Sequence, residues 1–165
     1  KAPSSNHQRR WELLTLTDHS IIMELAKLIR PYPCRIQEPK TPQQEMFQIA
    51  YPRQRSMIEE SACVILPYFK QKYPLSEEKT GYGLMDYGAT WALIENMLLA
   101  ATAEGVGSVV HIPVKKEPEQ IKAFLKVPDG WGLPALVVLG YAVKDPLLPA
   151  QVKATVANKV RWNQW

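Results

Sequence analysis

The stretch from residue 82 to residue 142 constrains the fold more than any other part of the chain. Residues 84–104 (LMDYGATWALIENMLLAATAE) read as a helix, and Leu84, Met85, Tyr87, Trp91, Ile94, Met97, Leu98 and Leu99 spread apolar side chains around nearly its whole circumference. A surface helix keeps a polar face, so this one belongs inside the protein. Asp86, Glu95 and Asn96 interrupt it too often for a membrane span. Gly105 stands where a left-handed cap is expected, and Gly107 leads into 108–112, an apolar β-branched run that reads as a buried strand ended by Pro113. Residues 117–127 are expected to form a second helix and 134–142 (PALVVLGYA) a second buried strand. Helix, strand, helix, strand is the order of an α+β or α/β layered structure.

Upstream, 11–17 reads as a strand, and Asp18 is a natural N-cap for a helix over 19–29 whose Ile21, Ile22, Leu25, Leu28 and Ile29 recur at helical spacing. Pro31, Pro33, Pro39 and Pro42 break the next stretch into a loop, after which 43–51 forms a short helix. Residues 62–69 (ACVILPYF) are a core strand, and 71–83 is a polar, turn-rich connection. Within the long helix, Asp86, Glu95 and Asn96 must find backbone or cross-interface partners. Asp86 and Glu95 are nine apart and do not converge as a catalytic carboxylate pair.

A chain of 165 residues supports one domain that buries about two-thirds of its unfolded surface. With 46% hydrophobic and 22% charged residues it has the balance of a globular protein rather than a disordered one. The net charge of +4 is scattered, which suits anionic small molecules and falls short of a nucleic-acid footprint. Cys34 and Cys63 lie far apart with neither a secretory signal nor metal-like spacing, so thiols in a reducing cytoplasm are expected, with a single disulfide left open. His7, His19 and His111 form no pair at ligand spacing, and no metal site is expected.

Three segments, in order, carry a resemblance. The first is Ala2-Pro3-Ser4-Ser5-Asn6-His7-Gln8-Arg9-Arg10-Trp11. The second runs from Asp86 through Glu95-Asn96-Met97-Leu98-Leu99, Gly105-Val106-Gly107-Ser108 and Glu119-Gln120-Ile121 to Val137-Val138-Leu139-Gly140-Tyr141. The third is Lys159-Val160-Arg161. Together they are similar to the FMN-dependent nitroreductase family, leaving about 31–54 without a clear counterpart. The resemblance implies a three-layer α+β fold, with a mainly antiparallel sheet flanked by helices and a long buried core helix. It also implies a homodimer with FMN at the subunit interface.

By the same resemblance, Ser4, Ser5, Asn6 and Gln8 lie against the flavin, and Gln54 or Arg55 meets its pyrimidine edge. The turn of His111, Ile112, Pro113 and Val114 approaches its reactive nitrogen through backbone groups, and Lys159 and Arg161 grip its phosphate. Tyr32, Phe47 and Tyr51 of the middle insert are weaker candidates for substrate contacts. Two fixed cations suit a phosphate dianion, and the polar side chains supply donors suited to a flavin's carbonyl edge.

The sequence departs from the family at three places. Arg10 stands where the family has proline, and Pro113, often glycine in the family, has no N–H, so Val114 or Ile112 must donate there. The chain also begins after the family's amino-terminal Arg-x-Ser-x-Arg helix. Either a segment precedes Lys1, or flavin is bound with fewer contacts.

The implied activity is ping-pong reduction of a nitroaromatic, quinone or similar small acceptor by NADH or NADPH through bound FMN. The absence of a recognisable triad fits a cofactor that carries the chemistry. The alternative is a non-enzymatic flavin-binding or sequestering module.

Overall fold

A computed structural model describes residues 1–77, 81–145 and 152–165. The chain enters through a short 3-10 turn, Ser5–His7, and runs into strand β1 (Trp11–Leu16) and helix α1 (His19–Leu28). Asp18 caps α1 as expected: its carboxylate accepts the Ser20 hydroxyl and N–H, the latter at 2.9 Å, and both bonds hold its pKa below the usual carboxylate range. Thr41 caps α2 (Pro42–Ala50) by accepting the Gln44 N–H at 3.2 Å, with Pro42 at the first helical position where its missing N–H costs nothing. A single-turn helix α3 (Ser56–Glu59) leads into β2 (Cys63–Lys70).

Helix α4 (Tyr82–Ala103) is the longest element. It ends in a Schellman motif: Gly105 takes φ 71°, the Val106 N–H reaches the Ala101 carbonyl at 2.8 Å, and the Gly105 N–H reaches Thr102 at 3.1 Å. After it come β3 (Gly107–His111), α5 (Glu117–Phe124), the two-residue β4 (Trp131–Gly132), β5 (Leu136–Gly140) and a last helical turn α6 (Val156–Lys159). Helix α5 stops short of the expected residue 127 because Leu125 leaves helical geometry and Lys126 adopts φ 55°. β4 was not expected, since two residues are too few to show a period. Of the polar connection and the tail, 78–80 and 146–151 lie outside the described residues.

The strands order as β1-β2-β5-β3, every pairing antiparallel, with β4 beside the end of β2. The register sets Leu14 opposite Leu66, Val64 opposite Val138 and Val110 opposite Val137. β2 and β5 lie in the middle of the sheet and are covered on both faces, which is why they read as unbroken apolar runs. On one face Leu16, Val64, Leu66, Leu136 and Val138 pack with Ile22 and Leu25 of α1, Ile58 of α3 and Ile121 of α5. On the other, Ile65, Val110, Val137 and Leu139 meet Trp91, Ile94 and Met97 of α4. The result is the expected helix, sheet, helix sandwich.

Within one chain α4 is covered on one side only. Ile94, Ala89, Thr90 and Asp86 are buried, but Leu84, Met85 and Leu99 stand 51%, 56% and 60% exposed. The all-round apolarity of its sequence therefore exceeds what this chain alone buries. Glu95 is exposed, and Asn96 donates to the Ala92 carbonyl at 2.7 Å, the backbone partner expected for it. Cys34 and Cys63 are both free thiols.

Candidate functional site

The amino-terminal turn packs on the first part of α4, and its backbone is unusual. Asn6, His7 and Arg9 all take left-handed φ values of 48°, 55° and 48°. Such angles are tolerated by asparagine and, less readily, by histidine, and are strained for arginine. The turn is held by its own bonds: the Ser4 carbonyl accepts the His7 N–H at 3.1 Å, the Ser5 carbonyl accepts the Gln8 N–H at 3.0 Å, and Ser4 Oγ accepts the Arg9 N–H at 3.2 Å. Strain concentrated in a solvent-facing loop is characteristic of a binding segment.

Two adjoining cavities follow from this packing. The first, about 230 Å³, is lined by Pro3, Ser4, Ser5, Met85, Gly88 and Ala89. The Ser5 hydroxyl lies 3.6 Å from Met85 Sδ. A Cβ placed on Gly88 would meet nothing within 4 Å, so this helical glycine leaves a flat, open patch on α4. An apolar floor rimmed by serine hydroxyls suits the face and polar edge of a planar heteroaromatic ring.

The second cavity, about 360 Å³, opens on the other side of the turn, among Asn6, Arg10, Lys70, Lys72, Tyr82 and Asp86. Asp86 is 6% exposed and its carboxylate lies 3.7 Å from the Arg10 guanidinium, which is the partner its burial demands. Burial pushes the Asp86 carboxyl up, and Arg10 pulls it back.

The turn after β3 is organised differently, around a buried carboxylate. Glu117, 2% exposed, accepts the Arg30 N–H at 3.0 Å, the Tyr32 hydroxyl at 3.0 and 2.9 Å, and the Val114 N–H at 2.9 Å. Burial alone would raise its pKa, but these donors outweigh that and hold the carboxyl below the usual range. His111 is fully buried beside it, with Nε2 3.4 Å from Glu117 Oε2. The Gln54 amide donates to the Ala50 carbonyl at 3.0 Å, which turns its oxygen to His111 Nδ1 at 2.7 Å. His111 therefore carries its proton on Nδ1, and burial, only partly opposed by Glu117, lowers its pKa and keeps it neutral.

Ser4, Ser5 and Asn6 thus share cavity walls with α4, and Gln8 sits exposed at the end of the same turn. Gln54 and His111 come together, but with each other and facing inward; Ile112 is the exposed residue of that turn, Pro113 is buried, and the Val114 N–H is committed to Glu117. Arg55 pairs with Glu59 at 2.8 Å. Lys159 and Arg161 are exposed, with Arg161 5.9 Å from the Trp165 ring, and among the described residues neither lines the two cavities. Of the insert's aromatics, Tyr32 serves Glu117, and Phe47 stacks on Tyr51 at 5.0 Å.

Sequence reading missed Glu117, which looked like an ordinary helix start. It also missed Lys70 and Lys72, which belonged to a strand end and a connection. The signal that could have found Arg10 was Asp86, a carboxylate in an apolar helix that needed a cation.

A model of the nitroreductase family matches residues 1–141. A comparison with curated protein sequences gives no match. Among solved structures, the chain is similar to an iodotyrosine deiodinase bound to FMN and 3-iodo-L-tyrosine, with TM-score 0.74, 17% identity, and 100% of this chain and 82% of that one covered. It is similar also to a putative NADH dehydrogenase/NAD(P)H nitroreductase from Parabacteroides distasonis, with TM-score 0.67, 20% identity and coverage of 99% and 79%. A third is the NADPH:FMN oxidoreductase from Vibrio harveyi complexed with NAD+, with TM-score 0.68, 18% identity and coverage of 99% and 63%. These likenesses show a shared fold, and the family model spans most of the chain. The chain belongs to the nitroreductase family.

Proposed function

We propose that this protein is an FMN-dependent oxidoreductase that passes electrons from NAD(P)H to a nitroaromatic, quinone or similar small acceptor, working as a homodimer. The observation that carries this reading is the first cavity. Its open glycine, apolar α4 floor and serine rim fit a flavin ring, and the family match covers all of its residues. The names of the similar proteins, two of which include FMN, support the same cofactor.

In this reading Ser4 and Ser5 hold the polar edge of the ring, and Met85, Gly88 and Ala89 receive its face and exclude water. In this turn Ile112 would be the residue left to offer a backbone N–H to the ring, since Pro113 has none and the Val114 N–H is bonded to Glu117. Lys159 and Arg161, both exposed, would hold the phosphate. Bound FMN supplies the two-electron transfer chemistry, and the chain's residues contribute position and polarity. Donor and acceptor use the site in turn, which predicts parallel lines in a two-substrate initial-velocity plot. Leu84 and Leu99, exposed on α4, are the face against which a second copy packs.

The test is direct: purified protein supplied with FMN shows flavin absorbance that bleaches with NADH or NADPH. A colourless protein that takes up no FMN overturns the reading. A flavin-binding module without turnover is the second reading, favoured by the turn in which Pro113 and Val114 offer no free N–H. Flavin bound without steady-state NAD(P)H oxidation selects it. Similarity to a deiodinase as well as to nitroreductases leaves the acceptor to be decided by assay rather than by fold.

A further inference from the structure

The larger of the two cavities is not absorbed by the ring site, although it is built from the same turn and the same helix: Ser5 and Met85 line one, and their sequence neighbours Asn6 and Asp86 line the other. Its chemistry is distinct. Among the described residues three cationic side chains, Arg10, Lys70 and Lys72, border it against one carboxylate, Asp86, which already faces Arg10 at 3.7 Å. Lys70 turns its ammonium toward Trp131, 4.8 Å from the ring centroid and outside the cavity lining, whereas Lys72 stands 5.2 Å from the ring of Tyr73, which lines it, so among the described residues Arg10 and Lys72 are the cations placed on the cavity. Asp86 is nearly buried while the Arg10 side chain is 47% exposed, so the carboxylate anchors a guanidinium whose outer N–H groups still reach solvent. Tyr73 and Tyr82 add aromatic surface, and Tyr82 is 56% exposed.

We propose that this cavity is a subsite for the anionic end of a small ring-bearing ligand, a carboxylate or phosphate held between Arg10 and Lys72. The inference rests on the preceding functional reading in one respect, that the ligand's ring reaches toward the neighbouring cavity. The anion has two possible sources: an acid group on the electron acceptor or, in place of the Lys159 and Arg161 grip proposed above, the phosphate of the flavin. The chemistry that recognises either is the same: a guanidinium anchored by Asp86, an exposed ammonium and the Asn6 amide on the same cavity.

The experiment compares the full chain with the double variant Arg10→Gln/Lys72→Gln. Arg10→Gln leaves the buried Asp86 carboxylate without its cation, so a thermal melt checks the double variant, and Lys72→Gln alone, which keeps the Arg10–Asp86 pair, is titrated beside it and is expected to lose part of the same preference. In the absence of flavin, NMR titration with 4-nitrobenzoate and with uncharged 4-nitrobenzyl alcohol reads the subsite directly. The carboxylate is expected to bind about tenfold more tightly to the native chain, with shifts at Asn6 and Gly83, and the variant loses that preference. Equal binding of the two probes, or a preference retained in the variant, overturns the proposal.

Parallel titrations with FMN and riboflavin assign the source. A variant weakened about tenfold for FMN alone identifies the cofactor's phosphate as the anion. A variant unchanged for FMN, but with a raised KM for the nitrobenzoate alone, identifies the acceptor. If neither flavin binds at all, the oxidoreductase reading fails while the probe titration still decides the subsite.

Discussion

The two faces of the sheet are finished to different degrees. On the α1, α3 and α5 side, Ile22, Leu25, Ile58 and Ile121 are fully buried, and even the charged Glu117 is sealed with its donors in place. On the α4 side Ile94, Thr90, Ala135 and Val137 are as deeply buried, but Leu84, Met85 and Leu99 stand more than half exposed. The first face is a core that one chain completes. The second is a surface that keeps its apolar residues for something else, and both candidate cavities lie along it.

That contrast can be broken or sharpened by substitution. The largest effect belongs to the closed face: Leu25→Ala should cost about 3 kcal/mol, read as a lower urea midpoint at unchanged slope. The same change at Leu99 should leave the unfolding of a single chain within about 0.5 kcal/mol. Equal costs at the two positions would erase the distinction.

Next in size is Glu117→Gln, expected to cost roughly 2 kcal/mol because an amide cannot accept from the Arg30, Tyr32 and Val114 donors together. The native protein should show a matching acid sensitivity. Glu117 and His111 both have folded pKa values below their ordinary ones, so each contributes stability above the ordinary value and loses it as pH falls through the lowered one. Thermal melts should therefore be level above neutrality. They should decline as the pH drops below the ordinary histidine range, and again below the ordinary carboxylate range. A melt that rises on acidification contradicts the neutral, buried His111.

On the open face, Leu99→Glu should weaken self-association about tenfold or more, seen by sedimentation, because a charge is placed where a second copy packs. An unchanged oligomeric state would mean that some other surface joins the copies. The smallest effect is expected at Gly88→Ala. With open space above its Cβ and a helical backbone, the substitution should stabilise α4 by about 0.5 to 1 kcal/mol, measured by denaturation. Gly88→Leu should occupy the ring cavity and abolish flavin uptake without loss of fold.

Much of this architecture was legible in advance, and the reasons are local. The caps at Asp18 and Gly105, the unbroken β2 and β5 runs and the helical period of α1 each carry their information within a few residues. The candidate site was legible only in part. Ser4, Ser5 and Asn6 stood out through family resemblance and lie on cavity walls, while the His111 turn, singled out for its backbone groups, has its histidine side chain bonded to Gln54 inside the protein. No local pattern shows that this histidine side chain turns inward to an amide 57 residues away in sequence.

What the sequence determined by itself was the set of elements and their apolar faces, because propensity, capping and periodicity act over one or two turns of chain. What only the tertiary structure decided was which polar groups meet across long separations: Arg10 with Asp86, Tyr32 with Glu117, Gln54 with His111. Those pairings depend on burial, where an unpartnered charge or amide is expensive, and burial is a property of the packed molecule rather than of any stretch within it.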